Sequence, residues 1–169
     1  MGSDTVNQDM VEELKQRISR LEEENLILNQ VIYKAPIPIF VLDQDHRITH
    51  FNQALEDLSG IRAETMIGSR DQWKAFYARP RPVMADLIIN QSSDREITKL
   101  YGIRYDPQKK LMDRFAATDF FPDLKPEGKW LYFTASPFKD SHGQMAGAVE
   151  TLQDVTQEKI QEDKIRELY

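Results

Sequence analysis

The run IFVLDQDHRITHF, residues 39–51, decides the fold of this chain. It contains two short strand-like segments, 39–42 and 47–51, separated by the polar sequence Asp43-Gln44-Asp45-His46. Short runs rich in β-branched and aromatic residues on either side of a polar turn are typical of a β-hairpin. We therefore predict two antiparallel strands joined by a tight turn.

Three short helices are predicted after the hairpin, and turn or cap residues delimit each of them. Asn52 suits an N-cap, Gly60 and Gly68 suit helix ends, and Pro82 suits a first helical turn. The predicted helices are 53–58, 63–67 and 83–90. Residues 91–113 predict a long connection with one helical turn at 97–101.

The last third of the chain predicts three more strands, at 115–121, 129–138 and 145–152. Gly143 lies in the polar stretch between the last two runs and suits a turn. The sequence therefore predicts five strands in all.

Residues 10–33 carry apolar side chains at alternating steps of three and four, which is the spacing of a heptad repeat. β-Branched residues at a and leucine at d favour a parallel two-stranded coiled coil, in which one asparagine at a fixes register. The a positions are Val11, Ile18, Asn25 and Ile32, and the d positions are Leu14, Leu21 and Leu28. We predict a homodimer through this helix; the alternative is an amphipathic helix packed on its own domain.

Composition divides the chain into four segments. Residues 1–9 are interpreted as a disordered tag remnant, 10–34 as the dimerisation helix, 35–156 as one folded domain, and 157–169 as the start of a signalling helix. The prolines after Ala35 end the first helix. The last segment lacks a terminator, so we expect the natural chain to continue.

The net charge, the lengths of the apolar runs and the cysteine count argue against several classes of function. A net charge of −6 repels phosphate, so no nucleic-acid partner is expected. No apolar run reaches the ~18 residues of a membrane helix, and no membrane contact is expected. The absence of cysteine excludes disulfides, cysteine-ligated clusters and thiol catalysis. No catalytic constellation is visible, so no enzyme is expected; the alternative is a small enzyme using Asp119, Asp123 and Glu127, which we interpret as a solvated turn.

The order of two strands, three short helices and three strands resembles a PAS domain, a sensor module of bacterial-type signalling proteins. The resemblance covers residues 35–156 and is carried by segments 35–43, 48–52, 59–61, 66–68 and 147–156, the last with a closing Asp-x-Thr. His46 stands where the family often has glycine, and histidine tolerates positive φ better than most residues.

The resemblance implies an α+β fold in which short helices cover one face of a five-stranded antiparallel sheet. It implies a cytoplasmic sensor or relay domain that holds a small ligand between sheet and helices. Its effector, on the same chain, would be a histidine kinase, a diguanylate cyclase, a chemoreceptor or a transcription regulator. The alternative is a purely structural dimerisation module with a filled core.

The resemblance also bears on cofactors. Light-sensing flavin and photoactive-yellow-protein types of this family need a cysteine, which the chain lacks. Haem-binding members usually ligate iron through a histidine on the helices, whereas His46 and His142 lie in predicted turns and His50 in a strand. Covalent flavin, haem and iron–sulfur clusters are therefore disfavoured, and non-covalent flavin stays open.

Candidate pocket residues are mostly aromatic and apolar, as ligand sites are. They are Phe51, Trp73, Phe76, Tyr77, Met84, Ile88, Phe133 and Leu152, to which Glu150 adds a carboxylate. The same apolar set also fits simple core packing. Alternation along the last strand, together with the family resemblance, points Glu150 inward, where Arg79 or Arg81 would pair with it, or where it would contact a polar ligand.

The last strand is predicted to pass into the exit helix at Asp154, Thr156 and Gln157. Asp154 and Gln157 have the spacing of a capping box. We interpret this junction as the point of signal coupling; the alternative is merely a good helix start.

Overall fold

The computed structural model describes residues 2–102 and 114–168, with the side chains of residues 7–102 and 114–168. The helices are α1 Gly2–Lys34, α2 Gln53–Ser59, α3 Ala63–Met66, α4 Met84–Ile89, α5 Asp94–Tyr101 and α6 Thr156–Glu167, with a short 3-10 helix Gln72–Ala75. The strands are β1 Ile39–Asp43, β2 Ile48–Phe51, β3 Phe115–Phe121, β4 Lys129–Lys139 and β5 Met145–Asp154.

The five strands form one antiparallel sheet in the order β2-β1-β5-β4-β3, which confirms the predicted fold class. β5 lies at the centre and pairs with β1 on one side and β4 on the other. Phe40 faces Glu150 across the first pair, and Phe133 faces Leu152 across the second. Alternation along the strands then buries one set of side chains under the short helices.

The first hairpin closes as predicted, with His46 at a φ of 63°. Asn52 caps α2 by accepting a hydrogen bond from the Leu55 N–H at 3.1 Å, and Gly60 ends that helix at a φ of 74°. The Asn52 side chain also accepts from Ile39 N–H at 2.8 Å, so the cap ties α2 to the start of β1.

Several predicted boundaries were wrong. α1 begins at Gly2, so residues 2–9 are helical rather than disordered. Val83 is the N-cap of α4, which places Pro82 outside the helix. α5 is longer than a single turn because Ser93 and Glu96 form a capping box. The rest of the predicted connection, residues 103–113, lies outside the described residues.

The core lies between the inner face of the sheet and α2–α5. Twenty-four buried apolar side chains form one continuous cluster, so the domain has a single core within the described residues. Asp119 belongs to the inner face of β3 and is 6% exposed, which corrects its assignment to a solvated turn. Among residues 2–102 and 114–168, no helix has the length and apolar character that a membrane crossing requires.

Candidate ligand pocket and exit-helix junction

The structure places most of the candidate pocket residues in one core. Phe51, Phe76, Met84, Ile88, Phe133 and Leu152 are all buried members of the apolar cluster. Tyr77 is partly buried and packs against that cluster, whereas Trp73 is only half-buried and stands outside it. The predicted pocket residues are therefore neighbours, with Trp73 as the exception.

Aromatic rings fill much of the space between the helices and the sheet. The Phe76 ring centre lies 5.8 Å from that of Phe40 and 6.0 Å from that of Phe121. Phe121 in turn lies 6.0 Å from Phe133, in an edge-to-face arrangement. These spacings are those of directly packed aromatic pairs, so this part of the core is occupied by its own side chains.

Glu150 is buried on the inner face as predicted, at 3% exposure. Its Oε2 accepts a hydrogen bond from the Ala85 N–H at the start of α4, at 2.8 Å. Burial raises the pKa of Glu150 to about 8, the Ala85 hydrogen bond opposes that rise, and the nearby charge of Asp86 adds to it. At neutral pH this carboxyl group is therefore largely protonated.

The predicted pairing of Glu150 with Arg79 or Arg81 is wrong. Arg79 is exposed. The Arg81 guanidinium carbon lies 4.6 Å from the ring centre of Tyr77 and 5.2 Å from that of Tyr101, and Arg81 donates to Leu100 O at 3.0 Å. Stacking on two aromatic rings and the bond to Leu100 O hold this cation beside Tyr77 and Tyr101, where its Nε is buried.

Tyr101 is a core residue that the sequence analysis missed. It is 1% exposed, and its ring centre lies 5.4 Å from that of Phe133. The Ser93–Glu96 capping box was the available signal, since it predicts a full helix that carries Tyr101 to the core. Tyr101 and Tyr77 share a side-chain hydrogen bond, and burial raises the pKa of Tyr77 to about 12.

A second buried carboxylate, Asp86, was also missed. Its Oδ1 lies 2.7 Å from Gln72 Nε2 and 2.7 Å from His46 Nδ1, while Oδ2 accepts from the Val83 N–H at 3.0 Å. Asp86 thus joins the first hairpin, the 3-10 helix and α4. Its two side-chain partners cannot be predicted from local spacing, because they lie 14 and 40 residues away.

His50 faces α1 rather than the covering helices. Its Nε2 lies 3.0 Å from Asn29 Oδ1, and burial lowers its pKa. A cavity of about 300 Å³ lies beside it, between the end of α1 and β2, and Asn29, Ile32 and Phe51 contribute to its lining. Alternation along β2 thus buries Phe51 in the core and sends its neighbour His50 to the opposite face of the sheet.

The junction between β5 and α6 is built around Asp154. Asp154 Oδ1 accepts from the Thr156 N–H at 3.0 Å and from Thr156 Oγ1 at 2.6 Å, and Oδ2 lies 2.6 Å from Lys129 Nζ. Thr156 Oγ1 also accepts from the Trp130 N–H at 3.0 Å. Burial raises the pKa of Asp154, but the bonds from Lys129 and Thr156 outweigh it and hold that pKa below its usual range.

The predicted capping box at this junction is wrong. Val155 is the N-cap of α6 and supplies no side-chain cap bond, while Asp154 is still part of β5. β5 reaches that far because Asp154 pairs with Leu131 of β4. Gln157 lies in the first turn of α6 without the predicted return bond, so the junction rests on Asp154, Thr156 and Lys129.

On α1 the predicted seam is largely uncovered. Val11, Leu14, Ile18, Leu21 and Leu28 are between 46% and 62% exposed. Asn25, within the same seam, accepts a hydrogen bond from Asn29 Nδ2 at 3.2 Å. Ile32 is partly buried because the last turn of α1 meets its own domain.

Contacts with its own domain hold the end of α1. Tyr33 donates to Glu56 Oε2 at 3.1 Å, and Lys34 donates to Gln53 Oε1 at 3.0 Å, both on α2. Asn29 adds the contact with His50 described above. The C-terminal turns of α1 therefore have a fixed direction relative to the sheet.

Comparison with known proteins supports the resemblance. A family model described as the PAS fold matches residues 22–70. The PAS domain of Bordetella pertussis BvgS superposes with a TM-score of 0.53 at 18% identity, covering 86% of this chain and 96% of that one. A PAS domain from Colwellia psychrerythraea gives a TM-score of 0.50 at 18% identity, covering 85% and 98%.

A phage VqmA, solved as a complex with DPO, is also similar. It gives a TM-score of 0.51 at 19% identity, covering 89% of this chain and 62% of that one. No curated protein sequence matches the chain. The strand order, the matched segment and these structural neighbours together show that the folded part of this chain is a PAS fold.

Proposed function

We propose that this chain is a sensory or relay module that dimerises through α1 and passes a signal through α6 to an effector on the same chain. The observation that carries the proposal is the uncovered apolar seam of α1, at one end of a PAS fold whose last strand passes directly into another helix. We infer a cytoplasmic protein whose effector is of the histidine kinase, diguanylate cyclase or chemoreceptor type, and a domain without catalytic activity of its own.

Helix α1 supports the dimer through its exposed side chains. A stripe of about half-exposed Val, Leu and Ile residues over several turns is costly in water, because each buried side chain of this kind contributes roughly 1.5–3 kcal/mol. A second copy of the same helix would cover the seam in register, with Asn25 facing Asn25 of the partner.

The junction at Asp154 supports the output. The carboxylate joins β5, the first turn of α6 and Lys129 of β4 through bonds of 2.6–3.0 Å. A shift of the central strand would therefore move the start of α6 directly. In a parallel dimer, both exit helices would move together.

Two interpretations of the interior follow from different observations. The buried carboxyl group of Glu150 and the hydroxyl groups of Tyr77 and Tyr101 favour a small, partly polar ligand between sheet and helices, without a visible chromophore. The packed rings of Phe76, Phe121 and Phe133 favour the second candidate, a structural dimerisation module with a filled core. Native mass spectrometry of the purified chain separates the two, since it reports bound mass and oligomeric state together.

The dimer is tested by adding one charge to the seam. We expect Leu21→Glu to convert the full chain to monomer in sedimentation equilibrium, because a carboxylate at d would be buried without a partner. Gln16→Glu adds the same charge at an f position and should leave the dimer intact. Equal association of both variants would overturn the coiled-coil interface.

The asparagine in the seam gives a second test of assembly. We expect Asn25→Leu to raise the melting temperature while loosening the choice of oligomer, since a polar residue at a exchanges stability for specificity. A single sharp dimer species for Asn25→Leu would show that Asn25 does not set the register.

Truncation gives a third test of assembly. A chain starting at Ala35 should associate much more weakly than the full chain.

A further inference from the structure

The turn between β1 and β2 reaches across the domain to α4 through one side chain, His46. Its Nδ1 lies 2.7 Å from Asp86 Oδ1, and its Nε2 lies 3.1 Å from Asn90 Oδ1. These residues are the first-turn carboxylate of α4 and the residue that follows its last turn. The imidazole therefore bridges two residues one turn apart at the end of α4 and fixes this helix to the hairpin.

The backbone at His46 makes this contact unusual. Its φ of 63° lies in the left-handed region, which glycine adopts without strain and histidine does not. A glycine would close the turn more easily but would leave Asp86 and Asn90 without the ring. The His46 side chain therefore makes contacts with α4 that the turn itself does not require.

Asp86 lacks any other bonded cation among the described residues. It is 7% exposed, and its remaining partners are the neutral Gln72 amide and the Val83 backbone N–H. A buried carboxylate is costly unless it is paired with charge or hydrogen-bonded. A protonated His46 supplies both a donor and the compensating charge.

The proton also decides which bonds the ring makes. With both ring nitrogens protonated, His46 donates to Asp86 Oδ1 and Asn90 Oδ1 at once. In the neutral ring one nitrogen is an acceptor, so the Asn90 amide must turn round and present its N–H to keep its bond. Loss of the proton therefore removes the ion pair and changes the contact with Asn90.

We propose that His46 is a proton-operated latch that holds the β1–β2 hairpin to α4 more tightly when the imidazole is charged than when it is neutral. This is a property of the folded domain and does not depend on the proposed signalling role. It would make protons an input to the domain, in addition to any ligand.

The latch connects to the centre of the sheet through α4. Ala85, next to Asp86, donates its N–H to Glu150 in β5, and β5 ends at the Asp154 junction. A weaker contact at His46 would therefore loosen the helix that holds the Glu150 carboxyl group. The path runs through hydrogen bonds of 2.7–2.8 Å from the surface turn to the central strand.

Four other charged side chains on the elements around His46 have partners of their own. Asp43 Oδ1 accepts from the Asp45 and Arg47 N–H groups, each at 2.9 Å, and Arg47 donates to Gly68 O at 3.0 Å. Asp71 and Lys74, which flank and end the 3-10 helix, pair with each other at 2.6 Å. Glu150 adds a carboxyl group whose ionisation at high pH would place a second negative charge near Asp86.

A double-mutant cycle on the full chain tests the latch. Urea unfolding of the wild type, His46→Gln, Asp86→Asn and the double variant gives the coupling between the two residues at about pH 5 and at about pH 8, a range in which histidine side chains change charge. We expect the coupling between His46 and Asp86, expressed as a ratio of unfolding equilibrium constants, to be several-fold larger at the lower pH. His142→Gln, in the exposed β4–β5 turn, serves as the matched control and should show no coupling to Asp86.

Two further measurements test the proposal without Asp86→Asn, in case that variant does not fold. The difference in free energy of unfolding between the wild type and either His46→Gln or His46→Gly should decrease as pH rises. Amide hydrogen exchange in α4 of the wild type should accelerate several-fold as the NMR signals of the His46 ring report loss of its proton. In His46→Gly the exchange should change less, because only base catalysis and the ionisation of Glu150 remain. A coupling that is equal at both pH values, or α4 exchange in the wild type that tracks His46→Gly throughout, would overturn the proposal.

Discussion

The central strand β5 carries two carboxyl groups four residues apart, and they differ in almost every physical respect. Glu150 is buried at the middle of the sheet, bonded to one neutral N–H, and its pKa is raised to about 8. Asp154, at the end of the same strand, is bonded to Lys129 and Thr156, and its pKa is lowered. One strand thus holds a largely neutral acid at its centre and an anion at its end.

The difference shows that position along the strand, rather than residue type, sets the chemistry of these groups. At Glu150 the helices exclude water, and no cation is bonded to the carboxyl group in the described part of the chain. At Asp154 the sheet ends, so solvent and a lysine both reach the carboxylate. The two sites suit different tasks: internal hydrogen bonding at one, and mechanical connection to α6 at the other.

The largest expected effect is at Glu150. Because its folded-state pKa lies above the unfolded value, the wild type loses stability as pH rises from about 4.5 to about 8, at up to about 1.4 kcal/mol per unit. Glu150→Gln keeps an acceptor for Ala85 N–H but does not titrate, so we expect its stability to exceed that of the wild type increasingly with pH. Urea unfolding over this range measures it, and parallel curves would contradict a neutral Glu150.

Phe133 tests whether the centre of the sheet has space to spare. Its ring is 1% exposed and packs against Tyr101 and Phe121. If the core is filled, Phe133→Trp should destabilise the domain by about 1–3 kcal/mol through overpacking. If a ligand space exists, the larger ring should occupy it with little loss of stability and abolish any ligand-induced rise in melting temperature.

The smallest expected effect on stability is at Asp154. Its side chain is 40% exposed, so solvent screens the pair with Lys129 and we expect Asp154→Ala to cost only ~0.5–1 kcal/mol. The sign is opposite to that of Glu150: the contribution of Asp154 is present at neutral pH and is lost as pH falls through its lowered pKa. Differential scanning calorimetry at two pH values checks both points.

The same variant tests the signal coupling proposed above, in a protein that carries the proposed effector. We expect Asp154→Ala to leave folding and any ligand binding nearly intact while uncoupling the response of the effector. Lys159→Ala, which removes a surface ion pair further along α6, is a matched control and should keep the response. Normal regulation in Asp154→Ala, with the fold verified, would reduce the residue to a local turn stabiliser.

How far the sequence predicts this molecule depends on the distance between interacting residues. The strands and the cap at Asn52 follow from alternation and local spacing, and their ends were predicted to within one or two residues. The inward direction of Glu150 also follows from alternation combined with the family resemblance. Its partner does not, because the register of β1 with β5 and the placement of α4 bring Ala85 to it across 65 residues.

The error at Asp154 has the same origin. Its spacing to Gln157 satisfies a local rule, but pairing with Leu131 keeps Asp154 in the sheet and moves the helix start forward. A long-range backbone contact therefore overrode a local side-chain signal. Asp86 and His46 show the same effect, since 40 residues separate two groups whose contact no local pattern could indicate.

Under the proposed dimer, the folding of the exposed part of α1 depends on the protein concentration. Its last turns are held by Asn29, Tyr33 and Lys34, but the side chains from Val11 to Leu28 along the seam stay about half exposed in a single chain. Isolated helices gain little stability from propensity alone. If α1 dimerises as proposed, dilution should therefore unwind the first half of α1 as the dimers dissociate, while the sheet persists. The concentration of the protein would then determine how far this helix extends from the domain.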